Sequence, residues 1–207
     1  MLYKTTRSLF RGLYQYKIVL VCAGASMFRS GDWSATFEEL KKINLNKNSL
    51  KYNAHIKSKD DLDYALNLAN TLSRMQDLDV RVESPWISIY SNSKKDIDTL
   101  SKLDKLKVKY VSMPAPNSSL TENTIVMPKM NYEFRITLGK TNHENSSFIS
   151  WAETNKKCKL TKSCIRDLQK TRSWGGTHFY ITGENNLLLA KMHLGGSIAK
   201  VERIVKN

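Results

Sequence analysis

The amino-acid sequence predicts an α+β protein in which antiparallel sheets carry helices on one face, and three observations lead there. Apolar residues switch repeatedly between the strict alternation of a strand and the three-to-four spacing of a helix. Helix-start signals recur, since Ser58 with Asp61 and Ser93 with Asp96 each place an acid three residues after a hydroxyl. The tract Pro114-Ala115-Pro116-Asn117-Ser118-Ser119 is rich in turn formers and poor in apolar residues, which makes it the best boundary in the chain.

Residues 1–50 open with a basic, aromatic segment (Tyr3, Lys4, Arg7, Phe10, Arg11) and run into YQYKIVLVC, whose β-branched residues predict a buried strand. Ala23-Gly24-Ala25-Ser26 predicts a turn into a short strand, MFR. Asp32 then caps a helix carrying Trp33, Phe37 and Leu40 on one face, and 44–48 reads as a loop. We expect these 50 residues to form a basic strand-turn-helix extension.

Residues 51–114 predict a strand near Tyr52–Lys57, a helix with Leu62, Ala65, Leu66, Ala69 and Leu72 as its stripe, two strands, a helix with Ile97, Leu100 and Leu103, and the strand VKYVSMP. The two middle strands come from LDVRVESPWISIYSN. Its apolar parity changes between Val80, Val82 and Ile87, Ile89, which one strand does not allow without turning its face over, and Pro85 places a turn between them. The order β-α-β-β-α-β is that of a ferredoxin-like unit. Arg81, Glu83, Trp86, Ser88 and Tyr90 then share the face away from the helices.

Residues 115–207 repeat the pattern without residue-level identity. NYEFRITLG alternates Tyr132, Phe134, Ile136 and Leu138; a helix carries Phe148, Ile149, Trp151 and Ala152; a further helix spans Thr161–Thr171; HFYITG alternates again; ENNLLLAKMHL is a helix stopped at Gly195-Gly196; and SIAKVERIV is a last strand. The expected domains are therefore the extension at 1–50 and ferredoxin-like units at 51–114 and 115–207.

The chain of 207 residues has 33 Lys and Arg against 19 Asp and Glu, a formal charge of +14. Counted by segment the balance is +5 for 1–50, +2 for 51–114 and +7 for 115–207. A polyanionic partner, DNA or RNA, follows from that excess, because Lys and Arg neutralise phosphates. Cys22, Cys158 and Cys164 are odd in number and lack C-x-x-C spacing, and the four histidines show no ligand spacing, so neither a disulfide framework nor a metal site is expected. The glycine-rich phosphate motifs are absent, and no cofactor is expected. The longest early apolar run, 18–23, is far below the roughly 20 residues of a membrane span. A reducing, cytoplasmic or other intracellular compartment is the expectation from cysteine usage and from an N-terminus without a signal-peptide core.

The residues expected to bind nucleic acid fall in two groups. Arg81, Trp86 and Tyr90 put two aromatics and a guanidinium on one sheet face, as a base-stacking platform requires. Lys159, Lys162, Arg166, Lys170 and Arg172 form a basic run, with 162, 166 and 170 four apart on one helical stripe. Trp174 just after that stripe completes a groove for a single strand, and His178 and Tyr180 in the next strand are further expected contacts. A non-catalytic nucleic-acid-binding factor is the expected function, for replication, transcription or RNA binding. A structural or regulatory protein docking on an acidic protein partner, with the same aromatics as anchors, is the alternative. Two ferredoxin-like units in one small basic chain also resemble, in arrangement, the CRISPR repeat-cleaving endoribonucleases. That resemblance implies metal-independent acid-base chemistry, with His178 and Tyr180 on the open face of the second sheet beside Arg135. The chain departs from those proteins in having only Gly195-Gly196 where they carry a long glycine-rich loop near the C-terminus.

Overall fold

The computed structural model describes residues 2–45, 56–116, 118 and 120–206. The chain divides into two compact units, Met1–Pro116 and Asn117–Asn207, each with a five-stranded sheet and its own hydrophobic core. It is a mixed α+β protein.

The first unit contains β1 (Tyr3–Thr6), β2 (Tyr16–Val21), a 3-10 helix (Ala25–Ser30), α1 (Trp33–Lys41), α2 (Lys59–Leu72), β3 (Asp79–Glu83), β4 (Trp86–Ser91), α3 (Lys94–Leu103) and β5 (Val108–Pro114). The sheet order is β1-β5-β2-β4-β3, antiparallel except for the parallel pair β1 and β5. Ile18 and Leu20 of β2, Val80 and Val82 of β3, and Ile87 and Ile89 of β4 face the core together with Leu68 and Leu72 of α2 and Ile97 and Leu100 of α3. Each such leucine or isoleucine, taken from water, contributes about 1.5–3 kcal/mol.

Local chemistry places the helices. Asp32, Ser58 and Ser93 accept hydrogen bonds from the backbone N–H groups of Ala35, Asp61 and Asp96 at 2.9, 3.1 and 3.2 Å, so all three helix starts lie where the side-chain oxygens can satisfy orphan amides. The Asp61 carboxylate accepts from Lys107 Nζ at 3.0 Å. That bond chiefly holds the Asp61 carboxyl below the usual carboxylate range.

Several expectations for this half are corrected. Residues 1–50 do not form a separate extension: β2 lies in the middle of the sheet, hydrogen-bonded to both β4 and β5. The run YKIVLV is the most continuously apolar strand of the unit, and a strand buried on both faces belongs at the centre. MFR lies in the 3-10 helix, which buries Met27 and Phe28. The expected strand at 52–57 falls largely outside the described residues, as do positions 46–48 of the expected loop, and Ile56 and Lys57 belong to no strand. In α2 the buried face is Tyr64, Ala65, Leu68, Ala69 and Leu72, rotated from the expected stripe so that Leu62 and Leu66 are only half-buried.

The second unit contains β6 (Thr124–Val126), β7 (Phe134–Leu138), α4 (Ser146–Thr154), β8 (Cys158–Leu160), α5 (Lys162–Leu168), β9 (His178–Ile181), α6 (Glu184–Leu194), a 3-10 turn (Gly195–Ser197) and β10 (Ile198–Val205). Its sheet order is β6-β10-β7-β9-β8, again antiparallel except for one parallel edge pair, β6 and β10. Phe134, Ile136, Leu138, Phe179 and Ile181 meet Phe148, Leu168, Leu187 and Leu194 in the core. Tyr132 precedes β7 and its ring packs on Tyr180, on the face opposite Phe134, contrary to the expected alternation. The three-residue strands β6 and β8 carry too little pattern to be read from sequence. The basic helix is shorter than expected, ending at Leu168, so Lys170 lies in the turn beyond it.

Candidate functional site

Cross-strand register sets the open face of the first sheet. Arg81 pairs with Ser88, Glu83 with Trp86 and Asp79 with Tyr90, so the predicted aromatics and charges do share one face. Their accessibility differs sharply. Trp86 is 41% exposed and carries the Lys109 Nζ 3.5 Å above its ring centroid. Arg81 is exposed and pairs with Glu83 at 2.5 Å. Tyr90 is only 6% exposed, because the connection from β1 to β2 returns across this face. Phe10 and Tyr14 bring their ring centroids to 5.8 and 6.2 Å from that of Tyr90, Arg11 lies over the same ring and pairs with Asp79, and Gln15 N–H donates to the Asn92 side chain at 3.0 Å. A base therefore has no access to the Tyr90 ring.

On the second sheet Arg135 pairs with Tyr180 across β7 and β9, and with Glu202 across β7 and β10. Glu202 is 1% exposed and receives Arg135 Nε and Nη2 on one oxygen, both at 3.0 Å, and Lys200 Nζ on the other at 2.8 Å. A buried carboxylate needs such partners, and Arg135 and Lys200 are committed to it. Tyr180 is 7% exposed, with Tyr132 at 6.0 Å and His178 edge-on at 5.4 Å. Burial, and after it the positive charge of Arg135, lower the His178 pKa from its ordinary value against the opposing pull of Glu202.

The basic run is solvent-facing. Lys159 stands exposed on edge strand β8, and Lys162 and Arg166 are exposed one turn apart on α5. Lys170, off the helix, pairs with Asp167 at 3.1 Å. The α5 start is capped by Thr161, whose Oγ1 accepts from Cys164 N–H at 3.2 Å and donates to the His178 carbonyl at 2.8 Å, tying the helix to β9.

Beyond α5 the chain enters a cleft. Arg172, Ser173 and Trp174 face Lys140, Thr141 and Asn142 across a cleft of about 520 Å³. Thr141 and Ser173 exchange two backbone hydrogen bonds of 3.0 Å, which join the walls. Gly175 explains the tightness of the junction. A Cβ there would come within 2.3 Å of the Gly139 carbonyl oxygen, and its φ is +74°. Gly175 thus serves a close approach of the chain to itself, and the next residue, Gly176, donates its N–H to the Leu138 carbonyl at 2.8 Å. Trp174 projects from this anchored turn, 88% exposed, with Lys140 Nζ 5.0 Å from its ring centroid.

Sequence reasoning names Arg172 and Trp174 but not Lys140, Thr141 or Asn142, since only the pairing of two loops 32 positions apart brings them together. Glu202 had a readable signal, being the lone acid inside the strand SIAKVERIV. Burial holds the three thiols up, Cys22 at about 11 and Cys158 and Cys164 at about 12, so none is a nucleophile near neutral pH. Among the described residues no cluster of three or more His, Cys, Asp or Glu could hold a metal ion, and no helix is long and apolar enough to cross a membrane. Comparison of the chain with protein-family models, curated proteins and solved structures finds no match.

Proposed function

We propose that this chain is a non-catalytic nucleic-acid-binding protein built on two ferredoxin-like units, with its principal contact surface on the second. In each unit, four strands in the order β5-β2-β4-β3 or β10-β7-β9-β8, all antiparallel, support that description of the fold, the added parallel strand being an embellishment at the edge. The observation that carries the function is the Trp174 cleft. A nearly fully exposed tryptophan shares the cleft with Lys140 and Arg172, and Lys159, Lys162 and Arg166, exposed and without an acid within ion-pair distance among the described residues, lie just before it in the chain. Cations that track a phosphate backbone beside an aromatic that stacks a base are the two parts of a nucleic-acid groove.

The binding set proposed is therefore Lys159, Lys162, Arg166, Arg172 and Trp174, with Lys140 added. Tyr90 and Tyr180 serve their own units, because both rings are covered. The acid-base reading of His178, Tyr180 and Arg135 has less support, since Arg135 is held by Glu202 and the Tyr180 ring is buried. The test is binding of a fluorescent oligonucleotide across a salt series. A surface contacting about five phosphates gives a log-log slope near −4, and Lys162→Glu with Arg166→Glu lowers affinity for all sequences alike. A salt-independent affinity rules the reading out. Capture of an acidic protein with no affinity for oligonucleotide supports the docking alternative instead.

A further inference from the structure

We infer that the Trp174 cleft seats one unpaired nucleotide, so that the polymer this protein binds is single-stranded; the inference rests on the nucleic-acid reading above. The ring has two faces. Lys140 approaches Trp174 with its ammonium 5.0 Å from the centroid, and the 88% exposure of the residue leaves ring surface open to solvent. Inside a duplex each base has both faces covered by its neighbours, so a side chain standing on the surface stacks only on a base that has left the helix or never entered one. The open ring of Trp174 thus selects for an unpaired base.

The rest of the cleft fits what is attached to that base. Its volume, about 520 Å³, lies within the range of about 300–1,000 Å³ of small-ligand sites and suits a single residue of a polymer. Arg172 and Lys140 line the cleft with the ring and supply positive charge for the phosphates next to the stacked base. Asn142 offers an amide that both donates and accepts. Thr141 lines the same cleft and is 3% exposed, and its buried Oγ1 has no hydrogen-bond partner among the described residues. The walls are preformed, because the paired Thr141 and Ser173 backbones and the Gly175–Gly139 contact fix the turn that presents Trp174. Ordering cost on binding is correspondingly small.

The experiment uses the whole protein with a labelled twelve-nucleotide oligothymidine, a blunt duplex of equal length, and the same oligothymidine with abasic residues, at one salt concentration. Wild type should bind the single strand at least about tenfold more tightly than the duplex. Trp174→Ala should weaken single-strand binding by about 5- to 150-fold, Trp174→Phe should recover most of it, and neither should alter duplex affinity. Abasic positions should reproduce the loss in the wild type and add nothing in Trp174→Ala. Circular dichroism checks that the variants remain folded, which the exposure of the side chain favours. Equal affinity for the two polymers, or equal losses on both in Trp174→Ala, overturns the single-strand inference while leaving nucleic-acid binding in place. Absence of binding to either polymer overturns both.

Discussion

The two units share one sheet plan and differ in what they set around the same central pair. In the first, Lys17 of β2 lies opposite Tyr90 of β4 on one side and Ser112 of β5 on the other; in the second, Arg135 of β7 lies opposite Tyr180 of β9 and Glu202 of β10. Each tyrosine also packs against an aromatic from the segment joining the parallel edge strand to the first inner strand, Phe10 and Tyr14 in one case and Tyr132 in the other. The neutral Ser112 leaves Lys17 to lie beside the Tyr90 and Tyr110 rings, at 5.3 and 5.7 Å, whereas Glu202 draws two cations into a buried ion cluster. One fold therefore solves the same problem, covering the helix-free face of a sheet, once with an aromatic roof and once with paired charges. Neither solution leaves a free stacking platform at the sheet centre. That shifts attention to the loop cleft of the second unit.

The largest effect belongs to the Gly175 junction of the second unit. Gly175→Ala combines backbone overlap with left-handed strain and should cost about 3–5 kcal/mol in denaturant unfolding. Gly176→Ala, whose added Cβ meets nothing within 4 Å, should cost only about 1–2 kcal/mol. Equal effects at the two glycines would mean that the Gly139 contact does not anchor the turn.

The aromatic roof comes next. Tyr90→Ala should destabilise by about 3 kcal/mol through loss of a buried ring and its packing on Phe10 and Tyr14. Phe10→Ala should be strongly non-additive with it, since the two share a contact, and additive losses would show the roof to be two independent features.

For the charged face, Glu202→Gln leaves Arg135 and Lys200 without their counter-charge. The expected loss is about 2–3 kcal/mol, reduced from that of a fully buried pair because both cations reach solvent. Ser112→Ala, at the corresponding position of the first unit, should change stability by less than about 1 kcal/mol. A similar loss at both positions would erase the distinction drawn between the units.

Protonation separates the faces as well. The folded-state pKa of His178 is lowered, so near and below its ordinary value the unfolded chain binds the proton more readily than the folded one. Stability from this group is present above about pH 6.5 and declines as the pH falls through that value. His178→Asn should flatten that part of the stability profile, and a histidine that titrates above 6.5 by NMR would reverse the sign.

The smallest effect is expected at Trp86. Its ring is 41% exposed, and Trp86→Ala should lower stability by less than about 1 kcal/mol, in contrast to Tyr90 four residues away on the same face. A loss as large as that of Tyr90→Ala would place both rings in one buried cluster.

Alternation and capping chemistry are local, and they made much of the framework readable in advance. The parity break at Glu83-Ser84-Pro85-Trp86 identifies β3 and β4 and the face of every residue in them, because a strand's side chains alternate whatever packs on it. Asp32, Ser58 and Ser93 mark three helix starts because an orphan amide is satisfied by the nearest side-chain oxygen. What packs on a face is a long-range matter. Tyr90 reads as a platform until residues 10–14 are brought across it, and β2 reads as part of an extension until hydrogen bonds to β4 and β5 put it at the sheet centre. The cleft is the clearest case. Arg172 and Trp174 announce themselves by composition, but Lys140 and Thr141 join them only through the bridge from Thr141 to Ser173 and the contact of two glycine backbones. Composition and periodicity act along the chain; a binding site is made across it, by backbone pairings whose partners the sequence does not mark.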